Sequence, residues 1–123
     1  MKTQPHLKGI TAPSHFSEAN DCSVRALANA TGHSYEDCHA LMKTLGRKDG
    51  QQIDMKMAAA GCFKTGGQLF IVESLDDYRL KQGKYVVFVP QHCYALIDGE
   101  VVDTIKPSSS AKLLGVFNFK GTK

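Results

Sequence analysis

The sequence predicts an α+β domain in which N-terminal helices pack on a C-terminal antiparallel β-sheet. Three observations carry that expectation. Apolar residues in the first half recur at helical spacing, in segments punctuated by glycine. The last third changes to β-branched apolar runs such as KYVVFVP (84–90). Within HCYALIDGEVVDTI (92–105), an Asp98-Gly99 pair is the strongest short-range hairpin signal. A chain of 123 residues supports one real core. We divide it into an irregular N-terminal arm, 1–17, and a single domain, 18–123.

The arm carries two prolines and two histidines and no regular period. A first helix is expected from Asp21, with Asp21 or Asn20 as N-cap, because a short side-chain oxygen accepts from the free N–H groups of a first turn. Val24, Leu27, Ala28 and Thr31 share its core face, and Gly32 closes it. A second helix opens at Ser34 in the capping-box-like SYED, buries Tyr35, Cys38, Leu41, Met42 and Leu45, and stops at Gly46. QQIDMKMAAA (51–60) reads as a third, shorter helix closed by Gly61, with Cys62 just beyond it. KTGG leads into a short strand, QLFIV (68–72). SLDDYRLKQG (74–83) reads as one or two helical turns between Ser74 and Gly83. KYVVFVP, the two arms of the hairpin and AKLLGVFNF (111–119) supply the strands of the sheet.

Composition excludes several function classes. The formal net charge is +3 and no Lys/Arg run is dense, which argues against a nucleic-acid partner. The first residues lack the apolar core of a signal peptide. No apolar run approaches the ~20 residues of a membrane helix. The expectation is a cytoplasmic protein with no membrane association, whose Cys22, Cys38, Cys62 and Cys93 are reduced thiols. Oligomeric state is left open.

The hairpin offers a site. If Asp98-Gly99 is a two-residue turn, Ile97 pairs with Glu100 and Tyr94 with Asp103. His92, Tyr94, Val101 and Asp103 then share one face. Asp103 is the diagonal neighbour of His92, within side-chain reach. A carboxylate there can fix the imidazole tautomer. Cys22 sits in the first turn of its helix, where the dipole favours a thiolate. A nearby imidazolium would favour it further, as in a thiol nucleophile paired with a base. Backbone N–H groups of that turn, with the Asn20 side chain as an added donor, could hold an oxyanion. Cys38 and Cys93 read as core residues, Cys93 on the hairpin face opposite His92. His33 and His39 read as surface residues, and Gly66-Gly67 as a plain turn. RKDGQQ (47–52) and KPSSS (106–110) read as exposed polar loops.

NDCSVRAL followed by HCYALIDGEVVDT resembles the papain-like cysteine peptidase superfamily, especially its small NlpC-like and bacteriocin-leader-peptidase branches. The DC…RAL…ATG.SYE pattern is also similar to short phage-encoded proteins of that superfamily. The resemblance implies a papain-like fold and a Cys22, His92, Asp103 triad in that chain order. It implies a thiol hydrolase acting on an amide or isopeptide bond of a protein or peptide, or an acyltransferase using the same residues. The sequence departs from the pattern at two places. No glutamine stands several residues before Cys22, where Phe16 is found, and Val24 replaces the glycine that follows DCS in NlpC-like chains.

Neither metal nor organic cofactor is expected. Zinc is the rival use of four cysteines and five histidines, but no CxxC or HxxxH spacing occurs. The alternative function, from a different class, is a phage-type accessory protein that keeps the fold and acts by binding a host protein.

Overall fold

The computed structural model describes residues 21–48, 51–90, 92–102 and 112–119. Three helices come first: α1 (Cys22–Thr31), α2 (Tyr35–Thr44) and α3 (Met55–Lys64). Five strands follow: β1 (Gln68–Leu69), β2 (Lys84–Val89), β3 (His92–Ile97), β4 (Glu100–Val102) and β5 (Gly115–Asn118). They form one sheet in the order β1-β5-β2-β3-β4, with every neighbouring pair antiparallel. The α+β architecture is therefore as the sequence predicts. The arm 1–17 lies outside the described residues.

Alternation along the strands sorts the side chains into two cores. Val86, Phe88, Cys93, Ala95 and Phe117 face α1 and pack with Val24, Leu27, Ala28, Tyr35, Cys38 and Met42. Tyr85, Val87, Val89, Tyr94, Leu96 and Val116 form the other face. There the 70–80 segment covers them with Phe70, Val72 and Leu80. With helices on one face and an irregular segment on the other, β2 and β3 are buried on both sides. That accounts for their near-continuous apolar sequences.

The hairpin follows its sequence signal closely. Asp98 has φ 50° and Gly99 φ 85°, the left-handed pair of a type I′ turn. Ile97 opposes Glu100, Leu96 opposes Val101 and Ala95 opposes Val102. The Asp98 carboxylate accepts from Gly83 N–H at 3.0 Å, and Asp98 N–H donates to Gly83 O at 2.9 Å. This pair of bonds ties the turn to the start of β2.

The helices differ from expectation in instructive ways. Ser34 Oγ accepts from Asp37 N–H at 3.0 Å, as the SYED opening predicts. α3 begins four residues later than the sequence suggests, at Met55. The Asp54 carboxylate caps it by accepting from Lys56 N–H. It also continues through Gly61, because that glycine is a contact point. A Cβ there would lie 2.7 Å from Met42 Cε, so its absence lets α3 approach α2. Cys62 is consequently a buried residue within the last turn of α3 and not one beyond the helix.

QLFIV forms only a two-residue strand. Phe70 N–H still donates to Val116 O, but Phe70 and Val72 then pack on the far face of the sheet. The Arg79 guanidinium takes the Ile71 carbonyl at 3.1 Å. SLDDYRLKQG yields one 3₁₀ turn, Tyr78–Lys81, capped by Asp77 and not by Ser74. Ser74 Oγ instead accepts from Asp76 N–H. AKLLGVFNF is a strand only from Gly115 to Asn118. Arg47, expected in an exposed loop, is buried.

Candidate functional site: a thiol at a helix start beside a histidine

α1 forms because its apolar and small residues fall on one face. Val24, Leu27, Ala28 and Thr31 are all buried against the sheet or the other helices. Gly32, at φ 82°, ends it and returns its N–H to Ala28 O. The same packing fixes the helix start over β3, whose first residues are His92 and Cys93.

Asp21 occupies the N-cap position, yet its side chain makes no cap bond. The carboxylate is used elsewhere. Oδ1 accepts from Arg25 Nε at 2.9 Å, and Oδ2 accepts from the Tyr35 hydroxyl at 2.8 Å. The N–H groups of the first turn therefore receive no hydrogen bond from their N-cap side chain. Cys22, half-buried, stands in this turn. Ser23, its neighbour, is buried, and its hydroxyl has no hydrogen-bond partner among the described residues.

The Cys22 sulfur has two neighbours from β3. Cys93 Sγ–H donates toward it at 3.8 Å. The His92 imidazole is close enough to act on it both as a hydrogen-bond partner and as a charge. Together they hold the Cys22 thiol far below its ordinary range, at about 5. The Cys93 side chain is the largest cause, helped by His92 and the Cys93 backbone, with burial opposing. The contrast with two other cysteines is sharp. Burial pushes the Cys38 thiol up to about 11 and the Cys62 thiol up to about 12. Those two are packing residues.

The cysteine and histidine line a small hollow of about 20 Å³, whose wall includes Gln52, Ile53, Met55 and Phe88. The late start of α3 matters here. Residues 51–54 stay non-helical, and Gln52 and Ile53 reach the rim. A nucleophile facing a small hollow, with a base beside it and first-turn N–H groups that take no bond from the Asp21 side chain, is an arrangement suited to acyl transfer through a thiol.

Of the residues singled out from the sequence, Cys22 and His92 are brought together. Asn20 and Asp103 lie outside the described residues. Strand alternation puts His92 on the same face as Tyr94, away from α1, and the two rings are 6.1 Å apart. His92 nevertheless reaches Cys22, because as the first residue of β3 it stands at the end of its strand. His33 is exposed as expected, whereas His39 is half-buried and stacks on Tyr35 at 5.9 Å.

Cys93 is the residue that sequence reasoning misplaced in role. It is buried and belongs to the core, as expected, but that core face is the one under α1, so its sulfur meets Cys22. The clue was present in the alternation: a residue opposite His92 in facing must look toward the helices. Gln52 carried no such signal. Among the described residues, no group of three or more His, Cys, Asp or Glu is placed to hold a metal ion. No described helix is long and apolar enough to cross a membrane.

No protein family, curated protein or solved structure matches the chain.

Proposed function

We propose that the protein is a small thiol hydrolase of papain-like type, acting on an amide or isopeptide bond of a protein or peptide. Cys22 attacks the carbonyl, His92 carries the proton, Asp103 orients His92, and Asn20 with the Cys22 N–H holds the oxyanion. The observation that supports this reading is the approach of the His92 imidazole to the sulfur of a cysteine in the first turn of a helix.

In this scheme the Cys22 thiolate adds to the carbonyl carbon, and the negative charge moves to the carbonyl oxygen near the N–H groups of the first turn. His92, as imidazolium, gives its proton to the departing amine, and a thioester remains on Cys22. Water, deprotonated by His92, then releases the acid. A second amine in place of water gives acyl transfer from the same thioester. The working compartment is a reducing one, such as the cytoplasm, where the thiol is maintained.

An activated ester such as p-nitrophenyl acetate tests the chemistry without a known substrate. The expected result is a burst of nitrophenolate with an acetyl group on Cys22 by mass spectrometry. The burst disappears in Cys22→Ala, and turnover after it slows in His92→Ala. Absence of any Cys22 adduct would remove the hydrolase reading. Peptide and isopeptide panels then define the bond.

A second reading is favoured by a different observation. Phe63, Leu69, Ile71, Leu75 and Tyr78 are all exposed within one stretch of sixteen residues, and Ile71 and Tyr78 are 74% and 79% exposed. Apolar exposure of this kind suits a partner surface. In that case the protein acts by binding another protein, and capture of one stoichiometric partner is unchanged by Cys22→Ala.

A further inference from the structure

We infer that Cys22 and Cys93 form a reversible disulfide when the protein meets a hydroperoxide, making the pair an oxidation site in its own right. The juxtaposition is direct. A reactive-position thiol at the start of α1 and a buried thiol on the second residue of β3 stand with their sulfurs 3.8 Å apart. Closing a disulfide requires about 2.05 Å. Side-chain rotation at two adjacent sulfurs is a smaller demand than movement of either element. The two residues are far apart in sequence, so only the packing of α1 on β3 creates the pair. Cys38 and Cys62 are also buried.

The chemistry balances in two steps. The Cys22 thiolate attacks one oxygen of the peroxide, the O–O bond breaks, and the leaving hydroxide takes up the proton that the Cys22 thiol released on ionising, departing as water. Cys22 is then a sulfenic acid. The Cys93 sulfur attacks the Cys22 sulfur, the S–O bond breaks, and the departing hydroxide takes the Cys93 proton as water. Two thiols have lost two electrons, and one peroxide has become two waters. Attack by a dithiol on the disulfide returns both thiols.

Two consequences follow for the site. The disulfide removes the Cys22 nucleophile, so oxidation switches the pocket off. It also intercepts the sulfenic acid before further peroxide carries Cys22 to the irreversible sulfinic state. The inference does not rest on hydrolase activity: a protein that only binds a partner would still carry the pair.

The test is titration of the folded full chain with hydrogen peroxide, followed by alkylation, digestion and mass spectrometry. The expected product is a Cys22–Cys93 linked peptide that forms in wild type and in Cys38→Ser/Cys62→Ser, and is lost on dithiothreitol treatment. In Cys93→Ser the link is lost, and iodoacetamide labelling of Cys22 is not recovered by dithiothreitol because sulfinic acid accumulates. A Cys22 that oxidises in wild type without linking to Cys93 would overturn the inference. So would a Cys93→Ser variant whose Cys22 labelling is fully recovered. Loss of the ester burst together with a normal Cys22–Cys93 link would count against the hydrolase alone.

Discussion

The Tyr35 hydroxyl donates a 2.8 Å hydrogen bond to Asp21 Oδ2, joining the first residue of α2 to the residue that introduces α1. Both partners are buried. The bond holds the Asp21 carboxylate away from the cap position, and so it bears on the electrostatics of Cys22. Tyr35→Phe removes the donor and leaves a buried carboxylate one partner short. The expected loss is about 1.5–3 kcal/mol of stability, read as a lower urea midpoint at unchanged slope. A midpoint equal to that of wild type would show the bond to be worth nothing in the folded protein.

Thiol reactivity separates Cys22 from its counterparts. Iodoacetamide labelling of Cys22 should rise with a midpoint near pH 5, while Cys38 and Cys62 stay unlabelled at neutral pH until the chain is unfolded. Cys93→Ala and His92→Ala should each raise the midpoint, the former by more, since the Cys93 side chain is the larger cause. A wild-type midpoint near the ordinary ~8.5 would remove the activated thiol.

The same shift links stability to pH. The Cys22 pKa is lowered on folding, from ~8.5 in an unfolded chain to about 5. Between those values the unfolded state binds more protons, so stability rises with pH. The contribution is complete above the unfolded pKa and is lost as pH falls through about 5. Denaturation midpoints of wild type and Cys22→Ala should therefore diverge progressively from pH 5 to pH 9. Parallel curves would contradict the linkage.

Two glycines offer a packing test with an internal control. A Cβ on Gly67 would lie 2.8 Å from the Cys62 carbonyl oxygen and 2.8 Å from Phe119 Cζ. The first of these is backbone, which cannot rotate away. Gly67→Ala should cost about 1–3 kcal/mol. Gly115, in β5, has nothing within 4 Å of a would-be Cβ. Gly115→Ala should be neutral, or stabilising by up to about 1 kcal/mol through the unfolded chain. Thermal unfolding of the two variants side by side decides it; equal losses would refute the close approach at Gly67.

Local signals were legible wherever a residue's neighbours in sequence were also its neighbours in space. Ser34 caps α2, Gly32 closes α1, and Asp98-Gly99 sets the hairpin register, all as their residue types require. The signals failed where a distant contact competed. Gly61 reads as a helix terminator until Met42 is placed against it. Asp21 reads as a capping side chain until Tyr35 and Arg25 engage its carboxylate. Phe70 and Val72 read as strand until the far face of the sheet recruits them.

The site divides along the same line. From sequence came the order of helices and strands, the placement of Cys22 in a first turn, and the placement of His92 at a strand start, because caps, turns and alternation are short-range properties of the backbone. Tertiary structure decided that α1 crosses the beginning of β3. It thereby decided that two sulfurs meet at 3.8 Å and that a histidine of opposite facing reaches the same thiol from the end of its strand. The physical reason is that helix-on-sheet packing is set by the whole buried face, from Val24 to Phe117, and no short window of sequence contains both partners of that contact.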